Sequence, residues 1–468
     1  FDTVPDFSTA PFTSAADGTG TIGVTVTVKD LVGNSSSTTV AVNVTRVKWI
    51  KKFGSQVISF AGSPIVTSSP TPQIVFAGTR QTANGPIASF DPTGALLWQA
   101  GGTQGITGVT SNMAYSSATK TLYVVPSGTP TNGYAYLVPA SGAPVSFANF
   151  GGSSDKLGGA PAIVVGPDQS EYVLVSDNGA SSTFRRLEQY SCAPLIGGQS
   201  CSAVTSASAT WTSLTSATTD GTNIYLGHDT TLTKIPFTNG ALGTPVDSLS
   251  AARVLGDIAV TGSLFFGDSR VSSERYRKFS IGAVGIGPVE DAAWVANTSS
   301  GAGTGGTIAT PPMISGSYVF GSFDNTDGHL YGYSLAAGSG TANGFIYPTS
   351  PATNLGNISP VAIGKDNSVY FTDDANSELV ALSINNNAPT AAWKFAGNGT
   401  ASLSSVTGQP TIDASAANAG TIYFGDSSGN VFALITDSGG PLAPTAGSTW
   451  PRVGFDNCNS GNTAFGCQ

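Results

Sequence analysis

Charge is scarce in this chain. Only 10% of its 468 residues are Asp, Glu, Lys or Arg, against roughly 25% in typical soluble proteins. Lys and Arg together number 19, and the net charge is −9. A phosphate backbone is gripped by clustered Lys and Arg, so no nucleic-acid partner is expected. The one basic knot, "SERYRKF" with Arg275, Arg277 and Lys278, reads as a solvated strand edge. Long apolar runs are missing as well. None approaches the roughly 18–20 residues of a membrane-spanning helix, so no membrane span is expected. No stretch keeps a helical period over three turns. The two histidines, His228 and His329, sit in no motif, which leaves a nucleophilic triad or a Cys/His zinc site without a basis. The chain starts at Phe1 with no Met and no charged-then-apolar leader. That reads as a processed secretory protein or a piece of a longer precursor.

Cysteine is limited to four, in two pairs of equal spacing: Cys192 with Cys201 and Cys458 with Cys467. Four cysteines allow three connectivities, and local pairing within each couple is the expectation. Each bridge would close a short loop and contribute about 2–3 kcal/mol. Disulfides imply an oxidising compartment.

What the chain has is glycine, 59 of it, with Ser and Thr in every segment and 40% hydrophobic residues. A surface wetted by hydroxyls and backbone suits a secreted or cell-surface β protein, extracellular rather than periplasmic. One short text is written eight times: "IVFAG" ending at Gly78, "LYVV" at Val125, "YVLV" at Val175, "IYLG" at Gly227, "LFFG" at Gly267, "YVFG" at Gly321, "VYFT" at Thr372 and "IYFG" at Gly425. The step is about 50 residues, in the range of propeller blades. A small apolar strand precedes each copy, a turn rich in Asp, Asn and Gly follows it, and then come a third strand and a looser fourth. The six tryptophans, Trp49, Trp98, Trp211, Trp294, Trp393 and Trp450, fall at or near the fourth-strand position. Flat side chains there suit burial between blades. A ring must close, so the Trp49 strand is expected to join the last blade, with the Trp450 segment alongside it.

At "ASFDPTGALLW" the sequence resembles the repeat of quinoprotein-like propellers. Ala88, Asp91, Thr93, Gly94 and Trp98 match the repeat, and the other copies keep mainly the aromatic or the glycine. The resemblance implies an all-β, eight-bladed propeller over residues 47–468, closed by strands from both ends. One branch of that family binds pyrroloquinoline quinone and oxidises alcohols or sugars. Its alcohol-oxidising members carry adjacent cysteines and a calcium site, and no position here matches either. The other branch is cofactor-free, and the chain is assigned to it, with no catalytic, cofactor or metal residues named.

Residues 1–46 differ. "GTIGVTVTVKDLVGNSSSTTVAVNVTR" is two alternating strands about a tight turn, and it resembles the last hairpin of a bacterial immunoglobulin-like surface domain. Ile22, Val24, Val26 and Val28 share one face, and Val40, Val42 and Val44 the matching face of the next strand. That face needs a cover, which makes the hairpin an assembly joint for a homo-oligomer, a filament or another subunit. "DNTDGH" from Asp324 to His329 reads as a turn rather than a cation loop. The acidic pairs Asp373–Asp374 and Glu290–Asp291 also read as solvated turns, because neighbours on a strand face opposite ways. The function expected is non-catalytic: assembly, adhesion or binding of protein subunits and cell-surface components. The alternative is a carbohydrate-binding or carbohydrate-active propeller that takes glycans.

Overall fold

Alternating strands such as Gly20–Lys29 and nearly continuous apolar runs such as Gln73–Ala77 build the regular elements of the computed structural model. The structure describes residues 6–9, 20–52 and, apart from short intervals, 62–464, and among them the regular elements are all β-strands. Asp6–Thr9, Gly20–Lys29 and Ser35–Val44 form a three-stranded antiparallel sheet. Its turn is closed by Asp30, whose carboxylate accepts from the backbone N–H of Val32 (3.0 Å) and Asn34 (2.8 Å). The register sets Val24 opposite Val40 and Ile22 opposite Val42. Val28 and Val40 are about half exposed, at 53% and 54%, and Leu31 and Val32 at the tip are exposed almost entirely.

The remaining strands form eight antiparallel sheets, named here sheets 1 to 8 by their inner strands. These are Ile65–Thr67, Ala114–Ser116, Leu157–Val165, Thr218–Thr219, Val254–Val260, Met313–Ile314, Ala362–Ile363 and Thr411–Ile412. Each runs outward by simple hairpins. Seven have the expected four strands. Sheet 4 departs from the expected uniform unit, because its third strand, Thr231–Thr238, splits its outer pairing between Ala241–Leu242 and Val246–Asp247. The outermost strand of sheet 8 comes from the other end of the chain: Val47–Lys52 pairs with Asn430–Ile435.

Buried clusters join each sheet to the next. Tyr115 and Tyr136 of sheet 2 pack with Ile65 and Trp98 of sheet 1. Further clusters bridge sheets 2 and 3, 3 and 4, then 4 through 7, and 7 and 8. The last joins Tyr423 and Val431 of sheet 8 to Ile74 and Phe90 of sheet 1 through Trp49. The contacts thus run full circle, and the chain is a β-propeller. Fourth-strand tryptophans also tie sheets with hydrogen bonds: Trp49 Nε1 donates to the Pro92 carbonyl (2.9 Å) and Trp294 Nε1 to that of Ser334 (3.0 Å).

Several expectations are corrected. Trp450 is buried, but it lies at the centre of the ring and bridges to the inner strand of sheet 6 rather than lying in an outer strand. Arg277 is not solvated. It is 2% exposed and paired with Asp268 (2.5 Å) and Glu290. A charge this deep is kept only with partners. Asp373 is buried, not a solvated turn residue, and accepts from the N–H of Gly356 and Ala375 and from Asn376 Nδ2. Cys192 and Cys201 are direct partners across adjacent strands. Cys458 is buried in the ring centre, while Cys467 and Asp324–Asp327 lie outside the described residues.

Candidate binding site

The inner strand of a blade has an open edge, whose N–H groups need acceptors. Here the chain's own last segment supplies them. The Trp450 carbonyl accepts from Ile314 of sheet 6 (2.8 Å) and the Pro451 carbonyl from Ile363 of sheet 7 (3.0 Å). The Val453 N–H donates to Gln409 Oε1 beside sheet 8 (3.1 Å). Carbonyls of Asn457, Cys458, Ser460 and Gly461 then accept from Val66, Tyr115, Ile163 and Thr219, in sheets 1, 2, 3 and 4. The segment thus visits the sheets in ring order. Its sequence, "WPRVGFDNCNSGN", suits the task. Asp456 Oδ1 accepts from the N–H of Cys458 (3.1 Å) and Ser460 (3.0 Å), curling the chain. Arg452 is fully buried and donates to the Pro64 carbonyl (3.1 Å). Burial pulls its guanidinium down and Asp456 opposes that.

With the axis occupied, one concavity among the described residues lies at the periphery. A pocket of about 440 Å³ lies between sheets 1 and 2, within the usual size of a small-ligand site, lined by Gln99, Gly101, Thr103, Gln104, Tyr136 and Pro144 among others. Its first wall is the end of the fourth strand of sheet 1, Leu96–Ala100, and the turn after it. Gly101 begins that turn with φ of +97°, a value L side chains rarely adopt, and the Gly101 carbonyl accepts from Ile106 (2.9 Å). The second wall is Tyr136 on the third strand of sheet 2, with Ala143 and Pro144 before the fourth. Gln104 Oε1 accepts from Thr103 Oγ1 (2.9 Å) and from Tyr136 OH (3.3 Å). Burial pushes the Tyr136 phenol up, so it stays protonated. None of the described lining residues carries a charge.

Two other polar clusters belong to the framework. His228 stacks on Trp211, with ring centroids 4.6 Å apart, and sits between Asp247 (3.2 Å) and Asp229 (3.6 Å). The sequence showed the Asp229 neighbour but not Asp247, which the sheet brings across. Glu171 is buried at the border of sheets 2 and 3. It accepts from Ser116 Oγ, Thr119 Oγ1 (3.0 Å) and Tyr123 OH (2.5 Å), and burial outweighs these bonds to push its carboxyl up. Among the described residues no group of three or more His, Cys, Asp or Glu is placed to hold a metal ion.

No protein-family model matches the chain, and no curated protein does. Solved structures do. The Dos1 propeller is similar over 83% of this chain and 95% of its own, at 11% identity and a TM-score of 0.52. The dihydro-heme d1 dehydrogenase NirN is similar over 85% of this chain and 73% of its own, at 12% identity and a TM-score of 0.48. A putative 6-phosphogluconolactonase from Bacteroides uniformis follows at 11% identity, 79% and 90% coverage and a TM-score of 0.35. Identities this low support the fold alone.

Proposed function

We propose that this chain is a non-catalytic propeller of the cell surface or extracellular space, serving assembly, adhesion or partner binding. We read the eight sheets as the blades of one ring. The observation that carries the proposal is the filled axis: residues 450–463 occupy the inner edges where the blades converge, so recognition falls to peripheral surfaces. Two such surfaces stand out, the pocket between sheets 1 and 2 and the N-terminal sheet. The latter has the alternation of an immunoglobulin-like hairpin, with Val28 and Val40 uncovered. Strand addition by another subunit supplies backbone hydrogen bonds and apolar cover together. The local cysteine pairs are proposed as disulfides, to be checked by non-reducing peptide mapping.

Deleting residues 1–46 is the test. The expected product is a folded, monomeric propeller that no longer self-associates or attaches to a surface, read by sedimentation and surface-retention assays. Unchanged assembly would move the joint elsewhere. Incubation with pyrroloquinoline quinone and Ca²⁺ is expected to give no quinone absorbance and no alcohol-dependent dye reduction. Stoichiometric uptake with turnover would replace this reading by the dehydrogenase one.

A further inference from the structure

We infer that the pocket between sheets 1 and 2 is a binding site for a neutral saccharide. This rests on the reading of the chain as a binding propeller and names the ligand class for one of its surfaces. The argument starts from what the walls offer. The carboxamides of Gln99 and Gln104 each carry a donor and an acceptor end, and a sugar hydroxyl both donates and accepts. Gln104 Oε1 is already engaged by Thr103 and Tyr136. That fixes the orientation of its carboxamide, with the Nε2 end left to donate to a ligand oxygen. Tyr136 is only 1% exposed, so its part in the wall is to hold Gln104 through its hydroxyl. Ala100, Ala143 and Pro144 supply apolar surface for C–H faces. Polar and apolar wall are thus mixed, as a pyranose ring with its two kinds of surface requires.

The same walls disfavour other ligand classes. A phosphate or carboxylate would need a cation, and none is among the described lining residues. An amine or guanidinium would need a carboxylate, and none of those is among the described lining residues either. The rim continues the theme. Leu97, two residues before Gln99, and Val145, next after Pro144, are both exposed. They extend an apolar shelf along which further sugar units of a chain can lie.

The experiment is saturation-transfer NMR on the full chain, with cellobiose, maltotriose and di-N-acetylchitobiose at millimolar concentration. Glucuronate, adenosine and a neutral tripeptide serve as rival classes. At least one neutral saccharide is expected to receive saturation and the rivals none. Gln99→Ala and Gln104→Ala are expected to weaken binding roughly tenfold each while the urea midpoint stays put, since both side chains are partly exposed. Tyr136→Phe keeps the ring, and is expected to weaken binding less than Gln104→Ala. The inference is overturned if no neutral saccharide binds, if a rival binds in its place, or if the two glutamine variants bind like the parent. None of these results bears on the hairpin-deletion test, so the two readings fail separately.

Discussion

The segment 450–463 and the hairpin 20–44 are opposites. The hairpin is regular, with apolar residues at every second place, and of its described strand valines Val28 and Val40 are about half exposed while Val26 is partly buried. The central segment is irregular and full of Asn, Ser, Gly and charge, yet Arg452, Asp456, Asn457, Asn459, Ser460 and Asn462 are all buried. Apolar alternation specifies which face seeks cover, not that the same chain provides it. Buried polarity, conversely, follows from geometry: the inner strands converge with open edges, and an acceptor-rich segment takes N–H groups from six of the eight.

That contrast can be broken experimentally, and the largest effect is expected from its buried half. Ending the chain before Trp450 removes carbonyl partners from six inner strands at once. The expected result is loss of a cooperative unfolding transition by circular dichroism. A truncated protein that melts near the parent temperature would make the segment a passenger. Next in size is Arg452→Met, which removes a buried guanidinium that donates to the Pro64 carbonyl and attracts the Asp456 carboxylate. It should cost about 3–5 kcal/mol in urea unfolding, the usual price of removing one buried charged partner. Trp294→Phe keeps most of the packing and deletes the bond to Ser334. About 1–2 kcal/mol is expected for the loss of that hydrogen bond.

Glu171 gives a smaller, pH-dependent effect. Its carboxyl is pushed up by burial, so the folded state holds the proton more tightly than the unfolded chain. This contribution to stability is therefore greatest below the ordinary glutamate range and is lost as pH rises through the raised folded value. Glu171→Gln should flatten that slope in chemical-denaturation midpoints measured across it. A slope unchanged in the variant would assign the dependence to other groups. The smallest effect belongs to the hairpin: Val28→Thr with Val40→Thr should shift propeller stability by less than about 0.5 kcal/mol, as exposed substitutions do. A larger shift would mean that the hairpin is stabilised against the ring.

Much of the framework was legible because it is local and repeated. The apolar run of each unit became a second strand, and Trp49, Trp98, Trp294 and Trp393 lie in outer strands and are buried. The Asp-rich turns were legible because side-chain acceptors close them, as Asp426 does for Ser428 and Asn430. What stayed hidden depends on distant pairings. Trp450 shares its residue type with the outer-strand tryptophans but bonds an inner strand. Arg277 looked like surface because its partners Asp268 and Glu290 are on flanking strands. The pocket joins a turn of one sheet to the third strand of the next, and no spacing in the sequence announces that juxtaposition.

The position of the central segment also dictates a timetable. Residues 450–463 follow all eight inner strands in the chain, so a ribosome delivers every open edge before it delivers the acceptors that close them. The sheets can form hairpin by hairpin as they emerge, but the nascent ring stays unlocked until the last fourteen or so residues of this stretch clear the exit tunnel. A stalled or prematurely terminated product would therefore present a fan of unpaired strand edges to protease and chaperone. The same residues that seat the finished ring thereby register that all eight inner strands have been made.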